Sequence, residues 1–263
     1  MRPRSFIYAK PGEWGGYLWR FIASWWYVFH LGAIALVMAF SPTTYNRDNR
    51  IATSRHIYNS TWQVLPWFTL LAALVSLVLI RIVVVTAISY GLSAYALEMV
   101  VRVLVLELIP LTAAMFVALR AGLAFNAGDA LALAAAAKTR AQNRLRQDLV
   151  PQVVANAFAV LSLAMVSSVI VLVLAYISVY GLSPWGVADY TRTVGRIFNP
   201  AVTIGFVLKT VFFGLSVAVI PSAAILEQHR YGIAPSSTVQ PGAVRLLFVL
   251  LVIEAASLAV KYI

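Results

Sequence analysis

Long apolar stretches alternate with short polar ones along this chain. Val64 to Tyr90 runs for 27 residues with one charge, Arg81, and Ala96 to Leu119 runs for 24 with Glu98, Arg102 and Glu107. Val153 to Tyr180 has no charge in 28 residues, Ala201 to Leu226 has Lys209 alone in 26, and Ala243 to Val260 has Arg245 and Glu254 in 18. A helix needs about 20 residues to cross a hydrocarbon core of ~30 Å, so the pattern predicts five membrane-spanning helices, some long enough to tilt.

Phe21 to Phe40 is also long enough to span, and Trp25, Trp26, Tyr27 and Phe29 crowd one part of it. Arg2, Arg4, Lys10 and Arg20 precede it and Arg47, Arg50 and Arg55 follow. A span here would put one basic cluster outside, against the positive-inside rule. An interfacial or re-entrant helix avoids that, and aromatic enrichment suits headgroup depth. The expected organisation is an amino-terminal region, residues 1–60, before a polytopic domain, residues 61–263.

Composition agrees. Hydrophobic residues make up 62% and charged residues 11%, and the mean hydropathy is +0.86. A soluble fold needs more polar surface than that. With no Cys there is no disulfide, thiolate metal site or cysteine nucleophile, and His30, His56 and His229 lie too far apart for a zinc site. The net charge of +11 comes from basic residues scattered between apolar stretches, which form no nucleic-acid-binding domain. The start of the chain lacks the form of a cleaved signal peptide, so the amino terminus is expected to be retained.

The basic residues report topology instead. With the amino terminus inside, 14 of the 20 fall inside: seven before residue 60, five within 120–148 and two within 226–245. Only Arg192, Arg196 and Lys261 fall outside, while Arg81, Arg102 and Lys209 are embedded. That distribution predicts amino terminus in and carboxyl terminus out. Residues 181–200 then form an outer connection and 227–242 an inner one. The inner connection between spans two and three turns from Ala-rich to basic over residues 127–148, and helix propensity predicts a short cytoplasmic helix over about 129–146. Such a helix either is a solvated connector near lipid headgroups or docks a cytoplasmic partner.

No P-loop, His-Glu-x-x-His, dinucleotide turn or Gly-x-Ser-x-Gly elbow occurs, so no catalytic site is expected, and any ATP must be hydrolysed by another chain. What remains is charge inside the membrane, which is costly and functional by default. Arg81 can snorkel outward over ~13 Å of helix. Glu98 and Arg102, four apart, can pair along one helix face. Glu107 lies ~17 Å below the outer end of its span, and Lys209 ~12 Å below the outer end of a span that runs the same way. The ~5 Å difference is within reach of a lysine stem, which predicts a Glu107–Lys209 pair or two charges facing one polar cavity near mid-membrane.

Several short motifs fall in order along the chain. Leu106-Glu107-Leu108-Ile109-Pro110-Leu111-Thr112 and Val117-Ala118-Leu119-Arg120-Ala121-Gly122 come first. Leu149-Val150-Pro151-Gln152 and Lys209-Thr210-Val211-Phe212-Phe213-Gly214 follow. Together they resemble the Arg-Glu-Leu-Gly-Pro-Val-Leu-Thr, Ala-Gly-Arg-Val-Gly, Val-Val-Pro-Arg and Lys-Ser-x-x-Phe-Gly stretches of MlaE/YrbE-type permeases, the membrane subunits of MCE-associated lipid ABC transporters. Arg120 and Asp129 are nine apart, as are that family's Arg and the Glu after it. The resemblance covers roughly residues 50–263.

The resemblance implies a dimeric permease in the bacterial inner membrane. Its partners would be a cytoplasmic ABC ATPase that binds ATP and Mg, an extracytoplasmic MCE-domain protein, a second permease chain and membrane lipid, with no cofactor on this chain itself. It maps the family's lipid-pocket charges onto Glu107 and Lys209, and an ATPase-coupling region onto Asp129, Lys138, Arg140 and Arg144. The departures are Leu106, Ile109 and Gln152 where the family has Arg, Gly and Arg, and a basic coupling segment where the family's is acidic. A heteromeric permease with a second, more typical chain accounts for these. Two other function classes fit the residues alone: a proton-coupled secondary transporter using Glu107, and a non-transport membrane scaffold.

Overall fold

The computed structural model describes residues 25, 26, 28–30, 32–34, 37, 47–123, 150–230 and 242–262, and every regular element among them is helical. Helix α1 (Arg47–Ile57) passes through a π-helical turn (Tyr58–Trp62) towards α2 (Leu65–Ser89). The second span is built from α3 (Ala96–Met99), a π-helical stretch (Val100–Leu108) and α4 (Ile109–Leu123). Helices α5 (Val150–Tyr180), α6 (Val187–Ile197), α7 (Pro200–Arg230) and α8 (Ala243–Tyr262) complete the set.

Among the described residues, five helices are long and apolar enough to cross a membrane: Thr53–Ser89, Ala96–Ala121, Val153–Tyr180, Pro200–Ala224 and Ala243–Val260. This is a multi-pass membrane protein. The first apolar helix begins at Thr53, earlier than Val64, because the chain stays helical through the polar residues before it. Residues 181–200, read from sequence as a connection, contain α6. The described residues between 25 and 37 are helical, and this helix lies against the bundle: Val28 joins an apolar cluster with α7 and α8, and Trp25 meets the Phe248 ring edge-on at 6.3 Å. The expected coupling helix, 129–146, lies outside the described residues.

Lipid tails solvate apolar side chains as well as protein does, so these helices associate through close packing of small residues. Ala159 and Ala164 on α5 are fully buried in the apolar cluster that α5 shares with α7, the described helix it packs on most closely. A β-carbon on Gly214 would sit 2.9 Å from the Ala157 carbonyl oxygen and 3.0 Å from its Cα, so only glycine lets the two backbones approach this closely. At the end of α2, Gly91 takes a φ of 71°, and its N–H and that of Leu92 donate to the carbonyls of Ile88 and Ala87 at 3.0 and 2.7 Å. This left-handed cap satisfies the last carbonyls and reverses the chain into the second span.

Among the described residues, the buried apolar side chains form two clusters. One, around Phe68, Leu163 and Phe213, joins α2, α4, α5, α7 and α8; the other, around Ile80, Val101 and Val171, joins α2, the π-helical stretch, α5 and α6.

Candidate functional site

Lys209 sits on α7 one turn before Phe213, with only 3% of its side chain exposed. Its Nζ forms an ion pair with Glu107 Oε2, donates to the Leu106 carbonyl at 3.4 Å and lies 2.7 Å from Glu254 Oε2. The Glu254 contact is a charge contact without hydrogen-bond alignment. The ammonium has three protons and is surrounded by three acceptor oxygens. The Phe213 ring, its centroid 5.7 Å from Nζ, adds a cation–π contact on a desolvated ion.

Local sequence explains the Leu106 acceptor. In an α-helix, residue 110 would donate its N–H to the carbonyl of residue 106. Pro110 has no N–H and its ring crowds that carbonyl. The chain widens into π-helical turns just before it, with the Ile109 N–H reaching back to the Leu104 carbonyl. π-Helical turns recur at functional sites. Here they bring Glu107 and the Leu106 carbonyl to the same ammonium, so one proline shapes both contacts.

The cluster unites the second, fourth and fifth spans where the two apolar clusters meet: Leu106 belongs to one and Phe213 to the other. Fully ionised, its two carboxylates and one ammonium carry one net negative charge. Charges this buried persist only when paired, and the side chains of Glu107 and Glu254 are 13% and 14% exposed.

Glu107 and Lys209, expected to pair from their depths, come together in the structure. Glu254 was not expected there, although it stands six residues, about 9 Å, from the Val260 end of its span, close to the depth of Lys209.

The other motif residues take varied places. Pro151 is buried in the first turn of α5, where a proline costs the helix no hydrogen bond. Arg120 Nη1 donates to the Ser60 carbonyl at 3.4 Å, tying the second span to the π-helical turn before α2. Gly122 lies near the end of α4. Phe213 and Gly214 bring α7 to the ion cluster and to α5. Asp129, Lys138, Arg140 and Arg144 lie outside the described residues. Glu98 and Arg102 form the expected pair at 2.8 Å.

Beside Gly181, α6 is fastened by phenols. Tyr176 donates to the Ser183 carbonyl, Tyr190 to the Leu172 carbonyl at 2.8 Å, and Tyr180 to Asp189 Oδ2 at 2.7 Å. Burial pushes the Tyr190 phenol above its ordinary pKa.

The family model of permease MlaE matches residues 53–259, which include the whole ion cluster. No curated protein matches the chain. The chain therefore belongs to the MlaE permease family, whose members are transmembrane, non-catalytic subunits of ABC transporters.

Proposed function

We propose that this MlaE-family permease moves a phospholipid-class lipid through the bacterial inner membrane, driven by a partner ABC ATPase and linked to an MCE-domain protein outside. It works with a second permease chain, identical or paralogous. Residues 61–263 form the permease domain, with the amino terminus inside and the carboxyl terminus outside. Residues 129–146 face the ATPase, with Asp129, Lys138, Arg140 and Arg144 as the contacts.

The observation that carries the reading is the Glu107–Lys209–Glu254 cluster. Lys209 has two carboxylate partners, so an entering lipid phosphate can replace one while the other keeps the ammonium compensated. The displaced carboxylate is then available to an ammonium in the same headgroup. A purely structural ion pair needs no second carboxylate. An inventory of proteins and lipids in a mild-detergent preparation tests the proposal. It predicts co-isolated phospholipid and an ABC ATPase, and a preparation containing neither would overturn it.

A further inference from the structure

Arg81 stands apart from the other span charges. Glu98 pairs with Arg102, and Glu107 and Glu254 converge on Lys209. Arg81 is exposed and makes no hydrogen bond or ion pair with any described residue. Nine residues, about 13 Å of helix, separate it from Tyr90, and sixteen, about 24 Å, from Leu65. The outward snorkelling expected from sequence falls short, because the nearer distance exceeds the span of one arginine side chain. Helical side chains also lean towards the helix amino terminus, here away from the nearer surface. Headgroup phosphates at either surface are therefore poor partners.

Its surroundings form a stripe. Leu71, Leu74, Val78, Val85 and Ile88 are all exposed, and with Arg81 they recur alternately three and four residues apart. That is the spacing with which one helix packs along another in a left-handed crossing. The stripe lies well away from the face that Ser76, Ile80, Val84 and Ala87 bury. Lipid alone would cover the apolar members, but a desolvated guanidinium calls for an anion at the same depth. A second copy of this chain offers none among its described spans, since Glu98, Glu107 and Glu254 are already engaged.

We propose that the Arg81 stripe of α2 is the docking seam for a transmembrane helix of a different polypeptide, one carrying an Asp or Glu in its membrane-embedded part that pairs with Arg81. The pairing sets the depth and rotation of that helix, and the flanking Leu and Val side chains supply the packing. The inference does not depend on which lipid is carried.

The test places a photocrosslinking amino acid at Val78 or Val85 of the full chain in its own membrane, with Val169 and Val173 on α5, also exposed, as controls. The expected adduct at 78 or 85, absent from the controls, joins an apolar peptide of another membrane protein that contains an Asp or Glu. Arg81→Leu, which lipid tolerates better than arginine, should lower adduct yield about tenfold, and Arg81→Lys should largely keep it. Arg81→Glu should lose the adduct and regain it when the partner carboxylate becomes Lys. Adducts to lipid alone, to a second copy of this chain or to a peptide without a carboxylate would each overturn the proposal. So would a yield unchanged by Arg81→Leu or a charge exchange that fails to restore it.

Discussion

Replacing Lys209 by Met should damage this protein more than replacing either of its carboxylate partners. Without the ammonium, Glu107 and Glu254 lose the cation they share inside the bundle. Stranding one side of a buried pair costs ~3–5 kcal/mol. Glu107→Gln leaves Lys209 still 2.7 Å from Glu254 and bonded to Leu106, and removes one charged contact worth ~1.5–3 kcal/mol. At roughly 2–4 °C per kcal/mol, Lys209→Met should melt about 10 °C below the parent and either Glu→Gln change about half as far below. The double change Glu107→Gln with Lys209→Met still strands Glu254. Only the triple change, with Glu254→Gln added, removes every charge, and it should melt above Lys209→Met alone. Intrinsic tryptophan fluorescence of detergent-purified protein during a thermal ramp measures the parent and all five variants. A triple variant that melts no higher than Lys209→Met, or a Lys209→Met protein that melts with the parent, would refute the three-member cluster.

Three further outcomes are expected. Gly214→Ala forces α7 off the Ala157 backbone and should cost ~1–3 kcal/mol in the same melt, whereas Gly205→Ala, with open space around it, should not destabilise. Tyr190 has a folded pKa above the unfolded value near 10, so its contribution is complete below pH 10 and is lost as pH rises through the raised folded value. Tyr190→Phe should therefore lower stability by about 1 kcal/mol at neutral pH and flatten the alkaline loss, read from melts against pH. Crosslinkers placed within 129–146 should reach the nucleotide-binding subunit, and adducts confined to lipid would separate this chain from ATPase coupling.

The spans were legible because hydrocarbon imposes a length and a polarity on any helix that crosses it. Val153–Tyr180 and Ala243–Val260 fall where the apolar runs place them. The start of the first apolar helix was not, since Thr53 to Gln63 is polar and stays helical by continuing α1. Nor was α6, whose residues Val187 to Ile197 look like a loop by composition and become a helix because three tyrosines hold it to the end of α5. The π-helical stretch leaves no periodic mark, and Pro110 shows only that some distortion must precede it. Glu107 and Lys209 could be paired from sequence because depth is a one-dimensional quantity in a membrane. Which helices are neighbours is not, and Glu254 needed that knowledge even though its depth agreed.

The central claim is that the Glu107–Lys209–Glu254 cluster handles the lipid in addition to holding three spans together. ATP-driven transfer of a labelled phospholipid between vesicles, by the complete transporter reconstituted with its ATPase, separates the two roles in the charge-free triple variant. The account predicts that this complex assembles and hydrolyses ATP while lipid transfer falls to the level seen without ATP. Transfer at the parental rate by an assembled triple variant would contradict it.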